Sequence, residues 1–374
     1  MDRSCPVGWP PSAIIERGKP AEEPVTNAFQ RSRSSRATKS ENHLTRAAED
    51  AFMDVTQAST ECTAVLQTID DAVICDRSFP EDILVGVVGR GHVLVEDVPG
   101  TGKTLTARSV ATALGLSFSR IQFTPDLLPA DVTGTHIFNE RERTFEFNKG
   151  PIFANVVLAD EINRAPPKTQ AALLEAMEEG QVTVDGETRQ LPDPFIVIAT
   201  QNPVEQEGTF PLPEAQVDRF LVKTSMGYPD EAGEVELLRR RADRETTSPS
   251  VERVLEPEQV EQLRRAPETI RVDEDLLEYI AALARETRSD GRVEVGVSPR
   301  GTQRLFEAAR AYATITGRSY VTPDDIKRVA QSVLAHRLVL TPDATVNGVD
   351  KSQVVDGVLE SVPVPTIEAS DENA

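Results

Sequence analysis

The chain has 374 residues, enough for two or three domains with a sizeable core. Residues 1–48 carry 8 Lys and Arg against 5 Asp and Glu, so the net charge of −21 leaves −24 on the remainder, a surface that repels phosphate backbones and argues against nucleic acid as the main partner. Three scattered cysteines (Cys5, Cys62, Cys75), no apolar run near the roughly 20 residues that span a bilayer and no apolar leader segment predict a cytoplasmic protein, without disulfide framework or membrane insertion.

Residues 1–48, rich in Ser, Arg, Pro and Glu, read as a disordered tail. Helical spacing of apolar residues begins near Ala51 and continues through Val65, Leu66, Ile69 and Val73, and a second helix is predicted over 83–88. From Val93 to about Tyr228 strands alternate with helices, which predicts an α/β core on a parallel sheet. The strand candidates are 93–95, 117–122, 156–158 and 195–200. Two hairpins interrupt the alternation: 136–138 with 144–147 around a polar loop, and 181–184 with 187–190 around Asp185-Gly186, a strong turn signal. Beyond Pro229 the pattern is helical, with helices over 231–245, 257–265 and 273–287. Ser298-Pro299 and Thr322-Pro323 each set a capping hydroxyl before a proline at the first helical position. A short helix around 354–359 closes the pattern before Pro363 and Pro365. The expected division is a tail (1–48), a core (49–228), a helical domain (229–365) and a loose acidic tail (366–374).

The run Pro99-Gly100-Thr101-Gly102-Lys103-Thr104 joins the first apolar strand to a helix. Strand, glycine turn and helix N-terminus make a phosphate cradle, in which backbone N–H groups face the anion, Lys103 reaches the β- and γ-phosphates and the Thr104 hydroxyl binds Mg²⁺. The strict pattern wants glycine at 97, where this chain has Asp97. Asp160 and Glu161 end a buried strand, where ligand sites of parallel sheets lie. Asp160 is suited to hold Mg²⁺ and Glu161 to act as general base on a water beside the γ-phosphate. An ordinary acidic loop has the same look, and the phosphate cradle upstream decides against it. Asn202 ends another apolar strand and can orient that water, although Asn202-Pro203 is equally a turn initiator. Arg219 can serve as an arginine finger on a neighbour's nucleotide or as the partner of Asp218 or Glu214. Arg300 can contact the γ-phosphate from the helical domain or lie plainly at the surface; at a helix start the dipole does not favour a cation, which points to an anionic partner.

In order, Gly-Thr-Gly-Lys-Thr at 100–104, Ala-Asp-Glu-Ile-Asn-Arg at 159–164, Ala-Thr-Gln-Asn-Pro at 199–203, Leu-Pro-Glu-Ala-Gln-Val-Asp-Arg-Phe at 212–220 and Ser-Pro-Arg at 298–300 resemble the MoxR family of AAA+ ATPases, over about residues 62–365. The resemblance implies an αβα parallel-sheet core with an all-α lid. It makes Glu-Asp-Val-Pro-Gly at 96–100 the family's own loop, Lys103 and Thr104 the Walker A pair, Asp160 and Glu161 the Walker B pair, Asn202 sensor 1, Arg219 the arginine finger and Arg300 sensor 2. It implies ATP and Mg²⁺ as cofactors, a homo-oligomeric ring, hexameric by resemblance, and chaperone-like action on a protein client, with partners that carry a von Willebrand factor A domain among those the family typically serves. The hairpins match insertions that face the pore or partners in related rings. Cys75-Asp76-Arg77-Ser78-Phe79-Pro80 departs from the family's Val-Gly-Gln-like stretch near the adenine. The Asp97 carboxylate is expected to turn from the phosphates toward backbone N–H groups or an Arg. A nucleotide-gated binding module, or a nucleic-acid motor or transcription activator of a related group, is the alternative. Intact Glu161 and Arg219 argue against the first and the −24 core against the second.

Overall fold

A computed structural model describes residues 53–203, 208–246 and 249–365; the tails expected at 1–48 and 366–374 lie outside the described residues. Asp54 caps helix α1 (Val55–Ala72), which turns Ala58, Cys62, Val65, Leu66 and Ile69 inward at helical spacing. Burial pushes the Cys62 thiol up to about 12, the behaviour of an inert packing cysteine. Helix α2 (Ser78–Val88) leads to β1 (Val93–Glu96), α3 (Lys103–Ala113), β2 (Phe118–Gln122) and the short α4 (Pro129–Thr133). The hairpin β3 (Gly134–Asn139) with β4 (Thr144–Lys149) precedes β5 (Val156–Asp160) and α5 (Pro167–Glu179). The hairpin β6 (Gln181–Val184) with β7 (Glu187–Gln190) precedes β8 (Ile196–Gln201), α6 (Glu214–Val217) and β9 (Val222–Thr224).

The five-stranded sheet runs β2-β5-β8-β1-β9, every pair parallel. Strand β9 was not among the sequence candidates. It is three residues long, half polar and at the sheet edge, and its pairing with β1 supplies the regularity that its own pattern lacks. Alternation sorts the strands into two faces. Val93, Val95, Val156, Leu158, Ile196 and Ile198 pack into the cluster that includes α1 and α3, while Leu94, Val157, Ala159, Val197 and Ala199 pack with Leu173 and Leu174 of α5. His92 locks three elements at the start of β1: its Nε2 donates to the Met177 carbonyl (3.0 Å) and its Nδ1 accepts from the Val197 N–H (3.0 Å). One donor and one acceptor define a neutral imidazole, and burial pushes its pKa down to about 4.

The C-terminal helices are α7 (Glu231–Asp243), α8 (Pro257–Arg265), α9 (Glu274–Ser289), α10 (Pro299–Ile315), α11 (Pro323–Leu334), α12 (Pro342–Val346) and α13 (Lys351–Ser361). Ser298 caps α10 by accepting from the Gly301 N–H, and Thr322 with Asp325 forms a capping box on α11. A small antiparallel ribbon, β10 (Val293–Val295) with β11 (Val339–Leu340), joins these helices. Helix α7 has no buried residue, whereas the later helices carry much of the larger core.

Two arginines clamp these helices to the sheet edge. Arg328 meets Asp82 (3.0 Å) and Glu81 (3.3 Å) of α2, and Asp82 also accepts from the Thr224 hydroxyl (2.8 Å). Arg337, 8 % exposed, donates to the Asp218 carboxylate (2.8 Å) and the Phe220 carbonyl (2.6 Å). Burial lowers its pKa to about 10 and the Asp218 charge opposes the shift, so the guanidinium stays charged at neutral pH.

Candidate active site

The sheet order reverses at β1, with β8 on one side and β9 on the other, so the crevice beyond its carboxyl end is where a ligand sits in an open α/β sheet. A cavity of about 450 Å³ opens there, lined by Asp97, Pro99, Gly100, Gly102, Lys103, Thr104, Arg120, Gln122, Asp160, Glu161, Thr200 and Asn202 among others, while Thr101 of the same loop is not on its wall and its hydroxyl donates to the Val98 carbonyl (3.4 Å). A larger cavity of about 670 Å³ between β9, α11 and α13 contains none of the phosphate-loop residues. Chemistry, not size, singles out the smaller one.

The glycines shape the loop. Gly100 and Gly102 have φ of 88° and 109°, a left-handed conformation that side chains rarely adopt. A Cβ at Gly102 would also stand 3.2 Å from the Met226 methyl. Gly102 caps α3, which aims the first-turn N–H groups of an 11-residue helix at the cavity. The Lys103 ammonium donates to the carbonyls of Asp97 (3.1 Å) and Val98 (2.5 Å). Burial pushes its pKa down, opposed by Asp97, Asp160 and Glu161.

Asp97 turns away from this space. One carboxylate oxygen accepts from the Val98 N–H (2.7 Å) and the other from the N–H groups of Met226 (2.9 Å) and Gly227 (2.8 Å). The expectation of backbone N–H partners is met, and the missing glycine is explained: the position serves as an acceptor that ties the loop to the chain leaving β9. Asp97→Ala leaves these buried donors without partners and is expected to lower stability by roughly 3 kcal/mol, read as a shifted urea midpoint at unchanged slope. An unshifted midpoint would contradict the tie.

Asp160 is held on both oxygens. Oδ1 accepts from the Thr200 hydroxyl (2.6 Å) and Oδ2 from Arg120 Nε (3.0 Å) and Nη2 (2.7 Å). Glu161 takes a left-handed backbone (φ 56°), a strained geometry that clusters at functional sites. Its Oε2 accepts from Gln122 Nε2 (2.7 Å) and Arg164 Nη1 (3.0 Å). Arg120 and Gln122 were not anticipated; they lie two apart on β2, on one side of the strand, but only the pairing of β2 with β5 brings them to the carboxylates.

Arg219 and Arg300 do not line this cavity. Both meet Glu178 near the end of α5: Arg219 Nη2 at 3.1 Å and Arg300 Nη1 at 3.2 Å. Arg219 also donates to the Leu174 carbonyl (2.5 Å). Asp218, offered by the sequence as a partner for Arg219, pairs with Arg337 instead. Cys75 lies just before α2 with its thiol raised to about 11, chiefly by burial, and none of residues 75–80 lines the cavity.

Residues 92–222 match the model of the ATPase family associated with various cellular activities (AAA), and residues 285–358 match the AAA lid domain. Chaperone MoxR1 of Mycobacterium tuberculosis is 43 % identical over 306 residues, covering 79 % of this chain and 80 % of that protein. The chain belongs to the MoxR family of AAA+ ATPases. YeaC of Bacillus subtilis is 51 % identical over 300 residues, 80 % of this chain and 93 % of that protein. A crystal structure of a protein from Cytophaga hutchinsonii superposes with a TM-score of 0.78 at 38 % identity, covering 86 % of this chain and 99 % of that one. The AAA+ architecture with its lid is thus the fold of this chain.

The site's donors fit a nucleoside triphosphate with Mg²⁺. The Thr104 hydroxyl and Asp160 carboxylate are hard oxygen donors, and Lys103 with the loop N–H groups suits phosphate oxygens. Among the described residues no cluster of three or more His, Cys, Asp or Glu side chains can hold a metal alone.

Proposed function

We propose that this MoxR-family protein is a Mg²⁺-dependent ATP hydrolase working as a cytoplasmic ring, a hexamer by family resemblance, that remodels, assembles or activates a partner protein, with 49–228 as the ATPase core and 229–365 as the lid. The observation that supports this reading most is the split of the charged groups. Lys103, Thr104, Asp160, Glu161 and Asn202 line one cavity, while Arg219 and Arg300 stand together outside it. Such a division suits a site completed by a neighbouring copy.

In this mechanism Pro99, Gly100, Thr101 and Gly102 shape the cradle, and Lys103 and the loop N–H groups bind phosphate. Thr104 and Asp160 hold the metal, Asp160 being oriented by Thr200 and Arg120. Bound Mg²⁺ supplies Lewis-acid charge withdrawal from the phosphate oxygens. Asn202 orients water, and Glu161 accepts its proton. Arg219 and Arg300 present positive charge to the neighbour's cradle. The client side is suggested by the hairpins, where exposed Phe138 and Phe145 meet as a tilted pair with ring centroids 5.2 Å apart and His136 meets Asp185 across the two hairpins at 2.8 Å. A domain of the von Willebrand factor A type is the client class that the family resemblance favours.

Phosphate release from ATP by the purified protein tests the reading. Turnover is expected with Mg²⁺, to vanish in chelator and to be lost in Lys103→Ala; nucleotide binding without turnover, with or without a client, would instead favour a gated binding module.

A further inference from the structure

Glu178 is one carboxylate carrying two guanidiniums, one per oxygen, from different parts of the molecule: Arg219 from the core and Arg300 from the lid helix α10. The two cations face mutual repulsion, and a carboxylate between them offsets it. Arg219 has a second anchor one turn earlier on α5, the Leu174 carbonyl, so its head group is held at two points. Arg304 lies one turn beyond Arg300; burial and the Arg300 charge lower its pKa, and Glu307, Asp218 and, least, Glu178 oppose that. Arg219 and Arg300 thus share the one acid Glu178.

Stability does not explain the arrangement. The Glu178 side chain is 40 % exposed, and ion pairs this open contribute little. Geometry does: a guanidinium has five N–H donors, so each arginine can stay on Glu178 and still receive an anion on its remaining edge. We propose that Glu178 is a positioning residue that sets Arg219 and Arg300 side by side, so that the terminal phosphate in a neighbouring copy meets both at once and the lid is registered to the core as it does. This rests on the proposed hydrolysis in shared sites.

The test compares Glu178→Gln, Arg219→Ala and the double variant by kcat, KM for ATP, affinity for a fluorescent ATP analogue and urea midpoint. Glu178→Gln is expected to lower kcat about tenfold, with analogue affinity and midpoint unchanged. In the Arg219→Ala background it is expected to cost clearly less than the tenfold it costs alone, because one of its two positioned groups is gone and only Arg300 is left to lose its place. A normal kcat in Glu178→Gln beside an impaired Arg219→Ala overturns the Glu178 proposal alone, as does a fully additive loss in the double variant. A normal kcat in Arg219→Ala overturns the shared-site reading and this proposal with it.

Discussion

An Arg219→Ala protein is expected to bind nucleotide normally and to hydrolyse it about 10³-fold more slowly. Binding survives because Arg219 does not line the cavity formed by Lys103, Thr104 and Asp160. Turnover fails because charge developing on the transferred phosphoryl group loses a guanidinium that the fold has already oriented. The segment holding Arg219 is braced from below: Arg337 grips the Asp218 carboxylate and the Phe220 carbonyl on either side of it. The guanidinium is aimed from above by Leu174 and Glu178. Little reorganisation is therefore needed when it meets an anion, the condition under which a fixed charge is most effective. Mixing gives the decisive measurement. Arg219→Ala copies with intact cradles and Lys103→Ala copies with intact arginines are each expected to turn over little alone, and equimolar mixing is expected to restore part of the turnover. No recovery, with mixed rings demonstrated, would mean that Arg219 acts within its own subunit or not at all.

Glu161→Gln is expected to bind ATP and Mg²⁺ while turnover falls about 10²- to 10⁴-fold, the usual contribution of a general base. The substitution keeps side-chain volume and an oxygen that can accept from Gln122 and Arg164, so the strained backbone at 161 has the same support. What it removes is the capacity to take a proton. Single-turnover phosphate release, measured beside equilibrium binding of a fluorescent ATP analogue, separates the two effects. Near wild-type release would remove Glu161 as the base. The same variant, held in its ATP state, is suited to capturing a client.

Period and punctuation made most of the fold legible. Strands around Leu94, Val157 and Val197 announce themselves as apolar runs, the caps at Ser298 and Thr322 stand where the structure has them, and Asp185-Gly186 forms the turn it encodes, with φ of 53° and 83°. Strand β9 escaped because Val222-Lys223-Thr224 is too short to show a period. The site split along the same line. Residues in one contiguous motif, such as Lys103 and Thr104 or Asp160 and Glu161, could be named from spacing, and the structure brings both pairs to one cavity. Arg120, Gln122 and Glu178 could not, because each acts on a partner about 40 or more positions away and lies in an unremarkable local pattern. Asp97 looked like a defect while its acceptors' role was judged only against phosphate; its true partners are peptide N–H groups, which leave no mark in a side-chain motif.

The Asp97 tie also reaches beyond the phosphate loop. Because one carboxylate holds the phosphate loop and the peptides of Met226 and Gly227 together, the loop and the exit from β9 form a single rigid splice. Two residues, Tyr228 and Pro229, separate this splice from Asp230, the cap of α7, and Met226 at the splice also packs beside Gly102. The phosphate loop is thereby fastened to a segment 129 positions further along the chain, directly ahead of the lid helices.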